Sequence, residues 1–443
     1  MHVVIENTVC LNAGDAAILI AIMKIIRETF GDDVQFSVFD SDPEIARRYY
    51  SGIDFYPLTT SLLATKPVLT FLGQQWSIRL RRNIDRIKRR EFRRMLSVMS
   101  SGRKAGGSLL LDPQVARNIE IYSKADMVIS TGGTYLVERY GLDERIEEFE
   151  KDLALKKPLV LFTQSLGPFN QPKNRIAVKK ILDQAHLVLL RDARSQQYLR
   201  DIDITHDRLE VVADSVFALA DIERLSAPSR ARAGERLRVA VSVRDWAHFE
   251  GRSPAEGMER YLDAVAGAVT ALVREDNAEI VFLSTCQGIP EYRYDDSAVG
   301  QRIFERLDDE TRKSVSVDHA FHEPEDLLAQ LQGFDFVIST RMHMAILSLC
   351  AGVPVLPIAY EFKTTELYNS LSQGEWVTDI SHIDRESFAA LARRFSNSLT
   401  DFYAKVAPYI IEQSRSARSA GGLIAASISA LPNPTENKRS AMR

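Results

Sequence analysis

Cysteine is scarce in this chain. Cys10, Cys286 and Cys350 are the three in 443 residues. None belongs to a CxxC pair or stands at ligand spacing from a histidine, so neither a disulfide framework nor a thiolate metal site is expected, and no metal is assigned. Buried, reduced thiols in a reducing compartment are the economical reading. The first residues, MHVVIENTVCLNAGD, lack a basic segment followed by a long apolar stretch, so no secretory signal is expected. No window reaches 18 uninterrupted apolar residues, which removes a membrane-spanning helix. The expected location is the cytoplasm, or the cytosolic face of a membrane as a peripheral protein. A formal charge of −4 gives no global reason to bind nucleic acid. Two phosphate-binding signatures are missing as well: no GKS or GKT follows a glycine-rich loop, and no GxGxxG opens a helix.

What the chain does have is alternation. Short β-rich runs are separated by amphipathic helical stretches, the pattern of parallel sheets with crossover helices. Strands are expected at Val3–Ile5, Val34–Phe39, Met127–Ser130, Leu159–Thr163, Leu187–Leu190 and Leu209–Val212. After a polar linker-like stretch from Glu223 to Glu235, a second series follows at Leu237–Val243, Ile280–Ser284, Ser314–Val317, Phe334–Ser339 and Val353–Ile358. The fold class is therefore α/β, with two Rossmann-like parallel-sheet domains facing across a cleft. Expected bounds are 1–225 for the first domain, with a helical insertion at about 60–125, and 236–384 for the second. Helices at 385–431 are expected to cross back over the first domain, and 432–443 reads as a disordered tail.

The insertion concentrates basic charge. Arg79 to Lys104 holds eleven Lys and Arg against Asp85 and Glu91, leaving 45 basic and 58 acidic residues elsewhere. Trp76, Leu80, Ile84 and Ile87 recur at helical spacing, with Met95, Leu96 and Met99 beyond, so a basic amphipathic helix is expected. Such helices lie on anionic lipid surfaces, each basic residue contributing about 1 kcal/mol. A solvated helix face packed on the first domain, or a contact between copies in a homo-oligomer, fits the same pattern.

Chemistry-bearing residues gather at the carboxyl ends of the expected strands, where open α/β sheets bind ligands. Asn12, Gly14 and Asp15 follow the first strand; Gly14 permits close backbone approach, and Asp15 can cap the helix or bind a hydroxyl. Gly132 and Gly133 follow MVIS, and a helix is expected after them. Gln164 follows LVLF with neutral hydrogen-bonding groups. Arg191 follows LVLL, where it can bind an anion bidentately or pair with Asp192. In the second series Arg244 follows VAVSV, and Gln287 with Asp295-Asp296 follows IVFLST. In DFVISTRMHMAILSLCAGVPVLPIAYEFK, strand FVI gives way to a polar turn and a helix opened by Arg341 and His343, with Lys363 past the next strand. A helix N-terminus favours an anion, and an imidazole can move a proton near neutrality. A capping Arg with a solvated His is the plain alternative. Four cations and one imidazole at strand ends outweigh any single motif.

In order, NAGDAAIL, MVISTGGTYL, LFTQSLGPF, LLRDARSQQYL, VVADSVFAL, FLSTCQG with Asp295-Asp296, and ISTRMHMAILSLCAGVPVLPIAYEFKT resemble the polysaccharide pyruvyl transferase family over about residues 7–370. The basic stretch departs from that family as an insertion. The resemblance implies a GT-B-like fold and transfer of pyruvate from phosphoenolpyruvate to a sugar of a surface polysaccharide or glycolipid precursor, as a ketal. It implies no cofactor beyond the donor. His343 would be the general acid and Asp15 a base or orienting group. Arg341, Arg191, Lys363 and Arg244 would hold the donor, and Asn12, Gly14, Gly132, Gly133 and Gln164 the acceptor. Two rivals share the fold: a GT-B glycosyltransferase using a nucleotide sugar, and a non-catalytic glycan-binding or membrane scaffold.

Overall fold

The computed structural model describes residues 1–65, 74–101, 103, 108–227 and 236–429. Most of the expected linker and the whole expected tail lie outside them. Two compact units emerge: Met1–Cys10 with Ile22–Ser215 and the chain from Ser416, and Leu11–Ala21 with Val216–Arg415.

The first unit is built on eight strands: β1 (His2–Thr8), β2 (Gln35–Asp40), β3 (Phe55–Pro57), β4 (Met127–Ser130), β5 (Gly133–Leu136), β6 (Leu159–Leu166), β7 (Leu187–Leu190) and β8 (Leu209–Val211). Their order is β3-β2-β1-β4-β6-β7-β8, with β5 added to β6, and the pairings are parallel. β4, β6 and β7 are buried throughout, which explains their unbroken apolar runs. In this sheet β3 and β5 escape the sequence reading, because Phe55–Pro57 ends on a proline and Gly133–Leu136 opens on a glycine, both poor strand signals. The second corrects the expectation of a helix straight after Gly132 and Gly133: β5 comes first, then a short 3-10 turn at Glu138–Tyr140.

The second unit has β9 (Arg238–Ser242), β10 (Glu279–Phe282), β11 (Val315–Val317), β12 (Phe336–Ser339), β13 (Val355–Ala359) and β14 (Thr378–Asp379), in the order β11-β10-β9-β12-β13-β14. That is the doubly wound order, whose direction of winding reverses between β9 and β12; a crevice for ligands opens at such a switch point. The helix Pro254–Glu275 begins in a reciprocal cap between Ser253 and Glu256 and buries Tyr261, Leu262, Val265, Val269 and Leu272. It packs on the helix Arg385–Ser396 of the same unit. The helix Leu399–Ser429 runs on into the first unit, where Ser416 Oγ accepts from Ala213 N–H at 3.0 Å and Arg418 pairs with Glu28 at 2.6 Å. Among the described residues no helix is long and apolar enough to cross a membrane.

The basic segment forms the helix Gln74–Ser100. Phe92, Met95 and Leu96 are buried with Leu63, Leu111, Val115 and Ile119, and Arg89 pairs with Glu147.

Inside the first unit one ammonium serves three carboxylates. Lys151 Nζ lies 2.6 Å from Glu148, 3.0 Å from Glu6 and 3.3 Å from Asp152, with all four side chains buried. Tyr122 donates to Glu6 at 2.7 Å. Burial first, then the charge of Glu6, push the Asp152 carboxyl well above its ordinary range. Burial also works against Glu148, but the charge of Lys151 and hydrogen bonds from Lys151 and Thr60 outweigh it and hold that carboxyl low. The folded chain thus keeps a proton on Asp152 that the unfolded chain releases above about pH 4, so this group's contribution to stability falls as pH rises. Asp152→Asn should abolish that loss: between about pH 5 and pH 8 its urea midpoint should gain on the wild type's. A constant difference across the range would mean that Asp152 is ionised in the native state.

Candidate functional site

In the second unit the switch point carries the chemistry. Arg341 follows β12 and leads into the helix Met342–Cys350; Arg244 follows β9, next to it in the sheet. Arg341 Nε and Nη2 grip Asp296 at 2.7 and 2.6 Å. Asp296 begins the helix Asp296–Phe304 and also accepts from Ser284 Oγ at 2.7 Å. Burial opposes the guanidinium's charge, yet Asp296 more than restores it, and Arg341 stays cationic. Its Nη1 has no protein partner among the described residues, and the side chain is 13% exposed, so one edge remains for an anion.

The loop after β1 packs in this same unit. Ala13 N–H donates to Thr285 O at 2.8 Å, and Asn12 Nδ2 donates to Asp15 at 2.9 Å. A Cβ on Gly14 would stand 2.9 Å from His343 Cβ, so only glycine lets the loop lie against that histidine. Cys286 is buried within electrostatic reach of Arg341, Asp296, Asp15 and Arg244. Burial pushes its thiol up to about 12, which leaves it a neutral thiol and not a nucleophile. Tyr292 feels Cys286, Asp15 and Arg341 in turn, and burial raises its phenol too.

Aromatic rings hold the remaining cations. The Arg244 guanidinium lies 4.1 Å from the centre of the Tyr360 ring and 5.0 Å from that of Trp246. Lys363 sits 6.0 Å from the Tyr360 ring and pairs with Glu361 at 3.0 Å. Contacts of this kind are worth about 0.5–2 kcal/mol and fix an arginine's plane. Tyr292, Trp246 and Tyr360 are missed by sequence reasoning, since an aromatic in a loop has no distinguishing pattern.

Asn12, Gly14, Asp15, Arg244, Arg341, His343 and Lys363 thus belong to one unit, and Gly132, Gly133, Gln164 and Arg191 to the other. Arg191 donates from Nε to Ser165 at 2.7 Å, from Nη1 to Asp214 at 2.5 Å and from Nη2 to Thr134 at 2.9 Å, so each nitrogen already has an internal partner. Gly132 makes room for Phe162 and Thr163: a Cβ there would lie 2.8 Å from Thr163 Oγ1. Gly133 has a φ of +136° and opens β5. Both glycines thus serve the junction between β4 and β5. Thr163, a β-branched residue inside β6, has a φ of +53°, and such strain concentrates at functional sites. Next to it, Gln164 Nε2 donates to Thr131 O and, at 2.8 Å, to Tyr135 Oη, while its buried Oε1 has no partner among the described residues.

A sequence profile of the polysaccharide pyruvyl transferase family matches residues 12–361. The chain belongs to that family. It is 25% identical over 433 residues to the amylovoran biosynthesis protein AmsJ of Erwinia amylovora, covering 96% of this chain and 98% of that one. Among solved structures, Anabaena HepE in complex with UDP superposes with a TM-score of 0.53 at 14% identity, covering 97% of this chain and 100% of HepE. The UDP-GlcNAc 2-epimerase of Neisseria meningitidis, bound to UDP-GlcNAc, gives 0.53 at 11%, with the same coverage. At such identities the likeness is one of fold, and that fold is GT-B-like.

The Arg341–Asp296 pair should prove structural as well as functional. Asp296→Ala leaves a buried guanidinium unpaired and should cost about 3–5 kcal/mol. A urea midpoint within error of wild type would show that solvent screens the pair.

Proposed function

We propose that this member of the family transfers pyruvate from phosphoenolpyruvate to a sugar of a surface polysaccharide or glycolipid precursor, forming a ketal. The observation that carries the reading is the meeting of Arg341, Arg244, Asp15 and His343 in one unit, around the switch point of its sheet. Phosphoenolpyruvate has a carboxylate and a phosphate, and the site has cations for both. Arg341 would use its remaining edge, with Arg244 held between Tyr360 and Trp246, and Lys363 beside them. Arg191 is better suited to ordering Ser165 and Thr134 than to holding the donor.

In this scheme His343 delivers a proton to C3 of the donor while a sugar hydroxyl adds to C2 and gives up its proton, with Asp15 as base or orienting group. The C2–O bond to phosphate then breaks. A second hydroxyl adds to C2, and its proton leaves with the phosphate. One donor and one diol give one ketal and one phosphate. Gln164, with its buried Oε1 unpartnered among the described residues, and the glycines Gly132 and Gly133 are assigned to the acceptor, and the scheme needs no cofactor beyond the donor. Incubation with phosphoenolpyruvate and a lipid-linked or polymeric glycan should add one pyruvate by mass spectrometry. His343→Ala should lower phosphate release at least about a hundredfold. Near wild-type release would remove His343 as the acid, and stabilisation by UDP or GDP sugars but not by phosphoenolpyruvate, in a thermal-shift comparison, would favour the glycosyltransferase reading.

The same reading places the protein on the cytosolic face of a membrane. In the helix Gln74–Ser100, Trp76, Leu80 and Ile87 are 69%, 42% and 53% exposed. At 100° per residue they fall within about 40° of one another, apart from the face that Phe92, Met95 and Leu96 bury. Arg79, Arg86 and Arg90 flank this apolar stripe, as suits an anionic lipid surface. The full chain should float with vesicles containing phosphatidylglycerol, and Trp76→Ser with Ile87→Ser should leave most of it in the pellet fraction. Flotation unchanged by that pair would give the stripe another partner.

A further inference from the structure

An open cleft of about 750 Å³ lies in the first unit, outside the carboxyl ends of β2 and β3. It is built by four helices and the loop after β2. Ser41 and Asp42 follow β2, and Glu44, Ile45 and Arg47 come from the helix Pro43–Tyr49. Ser61 and Leu62 come from Thr59–Leu63, Asp112 and Gln114 from the start of Pro113–Lys124, and Lys88 from the basic helix. The volume falls within the roughly 300–1,000 Å³ of small-molecule sites.

Hydrogen-bonding capacity in the lining is largely unused. The side chains of Glu44, Lys88 and Gln114 make no hydrogen bond or ion pair among the described residues. Asp112 accepts from Gln114 N–H at 2.9 Å, and Asp42 from Ser41 Oγ at 3.2 Å, which leaves each carboxylate further lone pairs. Carboxylates that accept, an ammonium and an amide that donate, and apolar patches at Pro43, Pro57 and Leu62 together match a pyranose, which alternates hydroxyls with C–H faces. Asp42, Glu44 and Asp112 outnumber Arg47 and Lys88, so the lining is one charge negative and disfavours a phosphate or nucleotide.

We infer that this cleft is a subsite for the neutral saccharide of the acceptor, built from none of the residues proposed to hold the donor. The inference deepens the pyruvyl transfer reading and rests on it. It also gives the basic insertion a second task, because Lys88 reaches the cleft from the helix whose other face carries Trp76, Leu80 and Ile87.

The test uses the full-length chain, fluorescently labelled, on an array of defined neutral, acidic and nucleotide-linked saccharides. Wild type should be retained on neutral oligosaccharides. Ser61→Trp and Gln114→Trp, two single fillings at exposed helix positions, should each lower that retention at least tenfold with unchanged melting temperature. The thermal shift produced by phosphoenolpyruvate should also stay as it is. Failure of wild type to bind neutral saccharides, retention confined to acidic or nucleotide-linked spots, or binding indifferent to both fillings would each overturn the subsite. Pyruvate gain by the retained saccharide is measured separately: its absence, with retention still lost on filling the cleft, would sink the transfer reading and uphold the saccharide site.

Discussion

The site depends on the two parallel hydrogen bonds from Arg341 to Asp296. An arginine at the switch point of a doubly wound sheet has five donors, and a buried guanidinium without a counter-charge would be costly. By engaging Nε and Nη2, Asp296 fixes the plane of the fork and leaves one edge of the guanidinium unengaged by protein among the described residues. Ser284 then holds Asp296, and Ser242, at the end of β9, lies 2.8 Å from Ser284 Oγ. The geometry of one cation is thereby tied to three neighbouring strand ends.

Much of this was legible in the chain. The apolar runs of β4, β7 and β12 are buried on both faces, so hydrophobicity alone reveals them, and Arg341 and His343 follow from their place at a strand's carboxyl end. The partners were harder. That Asn12, Gly14 and Asp15 pack beside His343 depends on a backbone approach that no local pattern expresses, and the binding of Arg191 by Ser165, Asp214 and Thr134 is a matter of tertiary contact. Strain at Thr163 is invisible too, because FTQSLG reads as an ordinary strand end.

Charge followed the same division. The basic insertion was recognisable from composition, and its helix formed where the period placed it. What composition did not separate is two apolar faces on one helix, one buried by Phe92, Met95 and Leu96, the other exposed at Trp76, Leu80 and Ile87. Nor did it show that Lys88 shares a cleft with acidic residues drawn from three other helices and loops.

The contact of Gly14 with His343 bears on the order in which the protein can be completed during synthesis. β1 finds its sheet neighbours once β2 and β4 have left the ribosome, by about residue 130. The loop immediately after it packs against Thr285 and His343, which emerge later. At roughly 5–20 residues per second, residues 11–21 wait some tens of seconds for their place after they are made. The first loop of the chain is therefore among the last parts of the second unit to settle, and a nascent protein stalled before residue 343 would hold a finished first sheet and an unfinished switch point.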